Sequence, residues 1–287
     1  MDGRGPRRRP IAPHERSGVL HPQNLVRFHA QWIDPSPSCS EVVDAYWSVR
    51  WNLRPHESVD QRIVDLPAVT LSVERGAVPA PLVVTGVHSR AWTRTIAGSG
   101  SVFGIRLRPA GLALVSRLGP ADVADTALPV DRDLDAQVHD LLSTVATEDD
   151  PLEMAARADA VIGDLVGGSA PDASLLLANA VVDHLRSRLD DRAGPLLASR
   201  FGVSQRTVQR ALSRTLGHGP KWVARRIRLQ HVAQALATVD DRGLARLATD
   251  LGYVDQAHLA HDFRAVTGLT PGAYARSLRG LVDDHVG

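Results

Sequence analysis

Nowhere in its 287 residues does the chain hold 18 consecutive apolar residues, so no segment of it is expected to cross a membrane as a helix. Its single cysteine, Cys39, excludes an internal disulfide and fits a reducing, cytoplasmic compartment. The stretch from Met1 to Pro10 carries Arg4, Arg7, Arg8 and Arg9 with no apolar run behind them, which is not the form of a secretory signal. There is no His-x-His, although a metal-dependent cupin enzyme, the main rival for any β-rich part of the chain, needs histidines on alternate strand positions. His14, His21, His29, His56 and His88 are scattered. His258 and His261, three apart on a helical pattern, could touch one metal, yet solvent or ligand exposure of that face is the simpler reading. Gly-x-Ser-x-Gly and a glycine-rich phosphate loop are absent too. The expectation is no catalytic residue, no metal and no cofactor.

What is present begins with charge. Residues 194–279 hold 13 Lys and Arg against 5 Asp and Glu, which leaves 20 against 27 for the remainder out of totals of 33 and 32. A net charge of +1 therefore conceals a basic module joined to an acidic one, as expected for a polyanion-binding domain attached to something else.

The basic module contains one pattern written twice. Leu197-Ala198-Ser199-Arg200-Phe201-Gly202 recurs 50 positions later as Leu247-Ala248-Thr249-Asp250-Leu251-Gly252. Past the glycine the offset becomes 51, so Ser204, Val208, Leu212, Gly217 and Pro220 match Asp255, Leu259, Phe263, Gly268 and Pro271. Gly202 and Gly252 can take the left-handed conformation that closes a helix and permits a sharp turn. Ser204 and Asp255 then offer an oxygen to the open amides of the next helix. On that helix the apolar residues fall four apart, so one stripe faces a core and the opposite face is free to enter a major groove.

In the first copy the free face carries Gln205, Arg206, Gln209, Arg210, Ser213 and Arg214; in the second, Gln256, Ala257, Ala260, His261 and Arg264, flanked by Asp262. Arginine and glutamine suit bidentate pairing with guanine and adenine edges, and Ser213 suits phosphate. Gly219-Pro220-Lys221 starts a bridging helix that can run to about Thr238, with Arg225, Arg226 and Arg228 away from its apolar side. Such a helix is ~28 Å long, of the order of the ~34 Å repeat of duplex DNA.

The motifs Gly202-Val203-Ser204-Gln205-Arg206-Thr207-Val208-Gln209-Arg210, Arg228-Leu229, Leu251-Gly252-Tyr253, Phe263 and Gly268-Leu269-Thr270-Pro271-Gly272-Ala273-Tyr274 resemble the DNA-binding domain of AraC-type transcription regulators. The resemblance covers the last third of the chain and implies seven helices, with two helix-turn-helix units bridged by a long helix. It also implies base reading by Arg206, Gln209 and Arg210 in the first unit and by Gln256, Ala257 and His261 in the second, where the family often has arginine at the position of His261. Phosphate contacts are expected from Ser213, Lys221, Arg225 and Arg264 and from the helix starts at Pro220 and Pro271. DNA-repair proteins that carry a similar reader transfer an alkyl group to cysteine. Cys39, between two serines and without a cationic neighbour in sequence, reads instead as an incidental thiol.

Upstream, residues 1–40 are rich in Pro, Arg, His and Ser and read as a flexible arm, with phosphate contacts by Arg7, Arg8 and Arg9 as the alternative. From Ala45 to Leu53 apolar and polar residues alternate, and further strands are expected at 62–65, 69–74, 82–87, 92–96 and 102–108, giving a β-rich domain over 41–126. It is similar to the β-rich sensory domains that precede AraC-type readers, mainly through Phe103-Gly104-Ile105-Arg106-Leu107-Arg108-Pro109. Trp47, Trp51 and Trp92 are the candidates for lining a ligand pocket. A helical connector spans 127–192, with helices at 131–147, 151–166 and 171–189. Its apolar stripes make it a candidate dimerisation element. The DNA-binding domain spans 193–279, and 280–287 is a tail.

The expected fold class is thus α+β: a cupin-like barrel or sandwich, a helical connector and an all-α domain of two helix-turn-helix units joined by a long helix. The expected partner is double-stranded DNA. RNA polymerase, a small-molecule effector and a second copy of the chain are further candidates. An enzyme using the reader only for targeting is the second function class.

Overall fold

The computed structural model describes residues 5–10, 27–167, 172–187, 195–236 and 243–283. Residues 1–4 and 11–26 of the expected arm, the break at Gly168 and Ser169, the helix ends at Leu189 and Thr238 and the final tail residues lie outside the described residues.

A seven-stranded antiparallel sheet forms the centre of the amino-terminal part. Its strands are β1 (Arg7–Pro10), β2 (Phe28–Asp34), β3 (Val43–Asn52), β5 (Thr70–Gly76), β6 (Leu82–Thr85), β8 (Ser99–Leu107) and β9 (Ala127–Pro129), in the order β1-β2-β3-β8-β5-β6-β9. A separate pair, β4 (Ser58–Ile63) with β7 (Trp92–Ala97), makes a second small sheet. Side chains alternate between the faces of the large sheet, as a period of two requires. Tyr46, Leu71, Val73, Val84, Phe103, Ile105 and Leu107 enter one core with α1 (Gly111–Val115), α3 (Arg132–Val145) and α4 (Pro151–Val166). Trp47, Val49, Trp51 and Val102 point to the other side, where the small sheet's Val59 and Ile96 meet them. A short helix, α2 (Pro120–Val123), leads into β9.

Residues 28–40 are not a flexible arm. β2 pairs with β3 in the register Phe28↔Trp51, Ala30↔Val49 and Trp32↔Trp47, and a 3-10 turn follows at Pro37–Cys39. Phe28 and Trp32 serve one face of the sheet and Ile33 the other, so both faces are apolar and the two-residue period is blurred. Arg7, Arg8 and Arg9 belong to β1, where Arg8 pairs with Asp150 and Arg9 with Asp34. The sheet also continues past the expected limit at 126, because β9 adds to β6.

Among the described residues, six helices occupy the carboxy-terminal part: α6 (Pro195–Arg200), α7 (Gln205–Leu216), α8 (Pro220–Leu236), α9 (Leu244–Asp250), α10 (Gln256–Thr267) and α11 (Pro271–Asp283), the last continuing into the expected tail. The helix α5 (Ala173–Ser187), expected in the connector, packs on α7 and α8. Its Ala178, Val181, Val182 and Leu185 share a core with Val208, Leu212 and Leu216, so the stripe that suggested a dimer surface is covered within the chain. The amide of Asn179 on α5 also accepts from the Ala110 N–H at 2.9 Å and donates to the Glu41 carbonyl at 2.9 Å, fastening the helix to the β-rich part.

Candidate nucleic-acid interface and interdomain cavity

Each helix-turn-helix is assembled by the residues that repeat. Gly202 and Gly252 have φ of 64° and 73°, a conformation costly for residues with a β-carbon, and each ends its helix in a tight turn. Ser204 Oγ accepts from the Thr207 N–H at 3.1 Å, and Asp255 Oδ1 accepts from the His258 N–H at 2.7 Å, capping α7 and α10. Val208 and Leu212 on α7, and Leu259 and Phe263 on α10, are buried. The opposite faces are open: Gln205, Arg206, Gln209 and Arg210 are exposed on α7, and Gln256, Ala257, His261 and Arg264 on α10.

The charged heads on these faces differ in how far they are already engaged. Arg206, Arg210, Lys221 and Arg264 are exposed and have no hydrogen-bond or ion-pair partner among the described residues. Gln209 donates to the Ser213 hydroxyl at 3.0 Å, one turn along the same helix. Arg225, expected on phosphate, instead forms a bidentate pair with Asp262, both bonds at 2.9 Å, which ties α8 to α10. Nor is Arg226 available to DNA. It is 3 % exposed and donates to the Asp65 carbonyl at 3.0 Å, and burial draws its pKa down to about 10.

α8 touches both α7 and α10 and, at 17 residues, is ~26 Å long. The same helix borders the β-rich part. Val64 lies in the core cluster of the second helix-turn-helix with Leu229, Leu259 and Phe263, and the Ala91 N–H donates to the Val266 carbonyl at 2.9 Å. Arg108 with Asp183 (2.5 Å) and Arg186 with Asp44 (2.8 Å) add ion pairs from α5.

Between the two sheets is a cavity of about 230 Å³. Trp47, Trp51 and Trp92, singled out from sequence, all line it. The indoles of Trp47 and Trp51 fit because glycines oppose them. Trp47 is paired with Gly104 and Trp51 with Gly100, and a β-carbon on Gly104 would lie 2.2 Å from the Trp47 ring. Trp51 Nε1 donates to the Ala97 carbonyl at 3.1 Å and Trp92 Nε1 to Asp65 at 2.7 Å. Sequence reasoning missed Phe28 and Trp32, which stand in the supposed arm, and also Gln61, Arg94, Arg106 and Gln230 of α8. The available signal was on β5, where Thr70, Ser72 and Glu74 put polar groups on an inward face that an ordinary core would fill with apolar ones.

Cys39 is fully buried and its thiol donates to the Asp159 carbonyl at 3.3 Å. Burial, then the Asp159 carboxylate, push its pKa up to about 11, so it is held as a neutral thiol. Among the described residues no group of three His, Cys, Asp or Glu side chains could hold a metal ion, and no helix is long and apolar enough to cross a membrane.

Two capped helices with exposed polar faces, set on one bridging helix, define the class: a helix-turn-helix, DNA-binding transcription regulator. Residues 197–277 match the family described as a helix-turn-helix domain, and residues 31–129 match a domain of unknown function, DUF6597. The chain carries an AraC-type helix-turn-helix domain at its carboxy-terminal end, preceded by a β-rich domain. No curated protein matches it. Among solved structures it aligns with ToxT from Vibrio cholerae at 6 % identity, over 81 % of this chain and 98 % of that one, with a TM-score of 0.45. A structure of wild-type ToxT bound to an unsaturated fatty acid aligns at 9 % identity, over 82 % of this chain and 96 % of that one, with a TM-score of 0.40.

Proposed function

We propose that the chain is a cytoplasmic, sequence-specific DNA-binding regulator that reads two successive major grooves and is modulated by a small molecule at its β-rich domain. The observation that carries the first half is the pair of exposed faces on α7 and α10, each capped and turned in the same way and both set on α8. Arg206, Gln209 and Arg210 read bases in the first unit, and Gln256, Ala257 and His261 in the second. Ala257 offers only a methyl contact and His261 a single hydrogen bond, so the first unit dominates specificity. Ser213, Lys221 and Arg264 position the phosphates, and Arg225 braces the second unit.

The second half rests on what the cavity touches. Gln230 of the bridging helix lines it, and the adjoining segment Val64–Asp65 packs on the second helix-turn-helix and holds Arg226. A molecule that moves the small sheet shifts the seat of that unit, so effector and DNA bind with reciprocal coupling.

The test is selection of duplexes from a random pool by the full chain, followed by affinity measurement across a salt series. Two recognised half-sites about one helical turn apart, with affinity falling steeply in salt, is the expected result. Uniform binding to every duplex, or a single half-site with the second unit dispensable, would count against it.

A further inference from the structure

The cavity between the sheets holds a polar group that the fold does not use. Gln61 on β4 is 4 % exposed and lines the cavity, and neither its amide nitrogen nor its amide oxygen has a hydrogen-bond partner. Leaving both halves of a buried amide unpaired is costly. Trp32 Nε1, contributed to the same cavity by the large sheet, is a second buried donor without an acceptor.

The charged side chains that face the cavity are, by contrast, already engaged: Arg94, Glu74 and Arg106 in ion pairs, and Asp65 by the Trp92 Nε1–H at 2.7 Å. Arg94 grips Glu74 with bonds of 2.8 and 2.6 Å. Arg106, stacked 4.5 Å over the Trp32 ring, donates to Asp44 at 2.6 Å, and Asp44 is also held by Arg186. An anionic ligand would have to displace Glu74 or Asp44 from its arginine, and a cationic one would have to draw Asp65 off the Trp92 N–H, in a site walled by indoles.

We propose that the cavity takes a neutral, planar aromatic molecule bearing a cis-amide or carboxamide, whose N–H and C=O pair with the oxygen and nitrogen of Gln61 while its rings lie among the tryptophans. This rests on the reading of the cavity as an effector site and adds the class of effector. Size agrees: an apolar cavity of ~150 Å³ holds a benzene ring, so about 230 Å³ suits a fused two-ring system.

Titration calorimetry on the full chain with three bicyclic probes tests it: 2-quinolone, a neutral lactam; naphthalene, the same shape without the amide; and 1-naphthoate, which adds a negative charge. The expected order places 2-quinolone on the order of ten- to a hundredfold ahead of the other two, with the advantage over naphthalene lost in Gln61→Met. Equal binding of 2-quinolone and naphthalene to the native chain, or an advantage that survives Gln61→Met, would overturn the amide pairing and leave the effector site standing. Preference for 1-naphthoate would overturn neutrality. Binding of none of the three would overturn the effector site and the class together. The probe comparison on the native chain decides the matter even where the variant folds poorly.

Discussion

Replacing Arg225 separates two roles that an arginine on the bridging helix can have. Its guanidinium holds Asp262 through two bonds of 2.9 Å, and the side chains are 36 % and 13 % exposed respectively. Removing one member of a fully buried pair costs about 3–5 kcal/mol, whereas an exposed pair contributes less than about 1. This pair lies between. Arg225→Ala strands the better-buried Asp262 carboxylate, for a loss of about 2 kcal/mol; Asp262→Ala leaves an arginine that can turn to water, for about 1 kcal/mol. Urea unfolding of both variants and the double variant gives the stability and the coupling between them, which should itself be on the order of 1 kcal/mol or more. DNA titrations in a salt series give the second readout. A brace predicts that both variants weaken DNA binding through the second unit and leave the salt dependence unchanged. Direct phosphate contact predicts that Arg225→Ala lowers the logarithmic salt slope by about 0.9 and that Asp262→Ala, which frees the guanidinium, raises affinity. Unchanged stability in Arg225→Ala together with a reduced slope would refute the brace.

Arg210→Ala should cost about 1–3 kcal/mol in binding to the preferred duplex and relax base choice at one position, with the unfolding midpoint unmoved because the head has no partner among the described residues; an unchanged selected motif would contradict the base-reading role. Arg264→Ala should weaken all duplexes alike and reduce the salt slope by about 0.9, and altered sequence preference would mean the residue meets a base. Gly104→Ala places a methyl 2.2 Å from the Trp47 indole and should cost about 1–3 kcal/mol while abolishing probe binding in the cavity, measured by calorimetry. Cys39 has a folded-state pKa of about 11 against an ordinary 9.0, so its contribution is complete below pH 9 and is lost as pH rises through about 11; the fall in stability over that window should be shallower in Cys39→Ala, and identical pH profiles would exclude the linkage.

Much of this molecule could be read before any coordinates. Gly202, Ser204, Gly252 and Asp255 act on their immediate neighbours, so the turns and caps they build are determined within a few residues. The strand alternation on either side of Trp47 is equally local. The register that lays Trp47 over Gly104 and Trp51 over Gly100 is not, and neither is the recruitment of β2, whose residues carry apolar groups on both faces and become a strand by pairing with β3.

The sequence alone therefore determined the duplicated reader, its capped helices and the β-rich character of the domain before it, because period and capping chemistry depend on short separations along the chain. Tertiary structure decided the rest. Arg225 finds Asp262 37 positions away and Arg226 finds Asp65 161 positions away, so which arginines remain free for phosphate is set by partners that no local pattern reveals. The same holds for Gln61, unremarkable on its strand, which becomes a recognition group only because two sheets close over it and leave its amide without a partner. An interior polar atom acquires its meaning from what surrounds it in space, and spatial neighbours are supplied by packing.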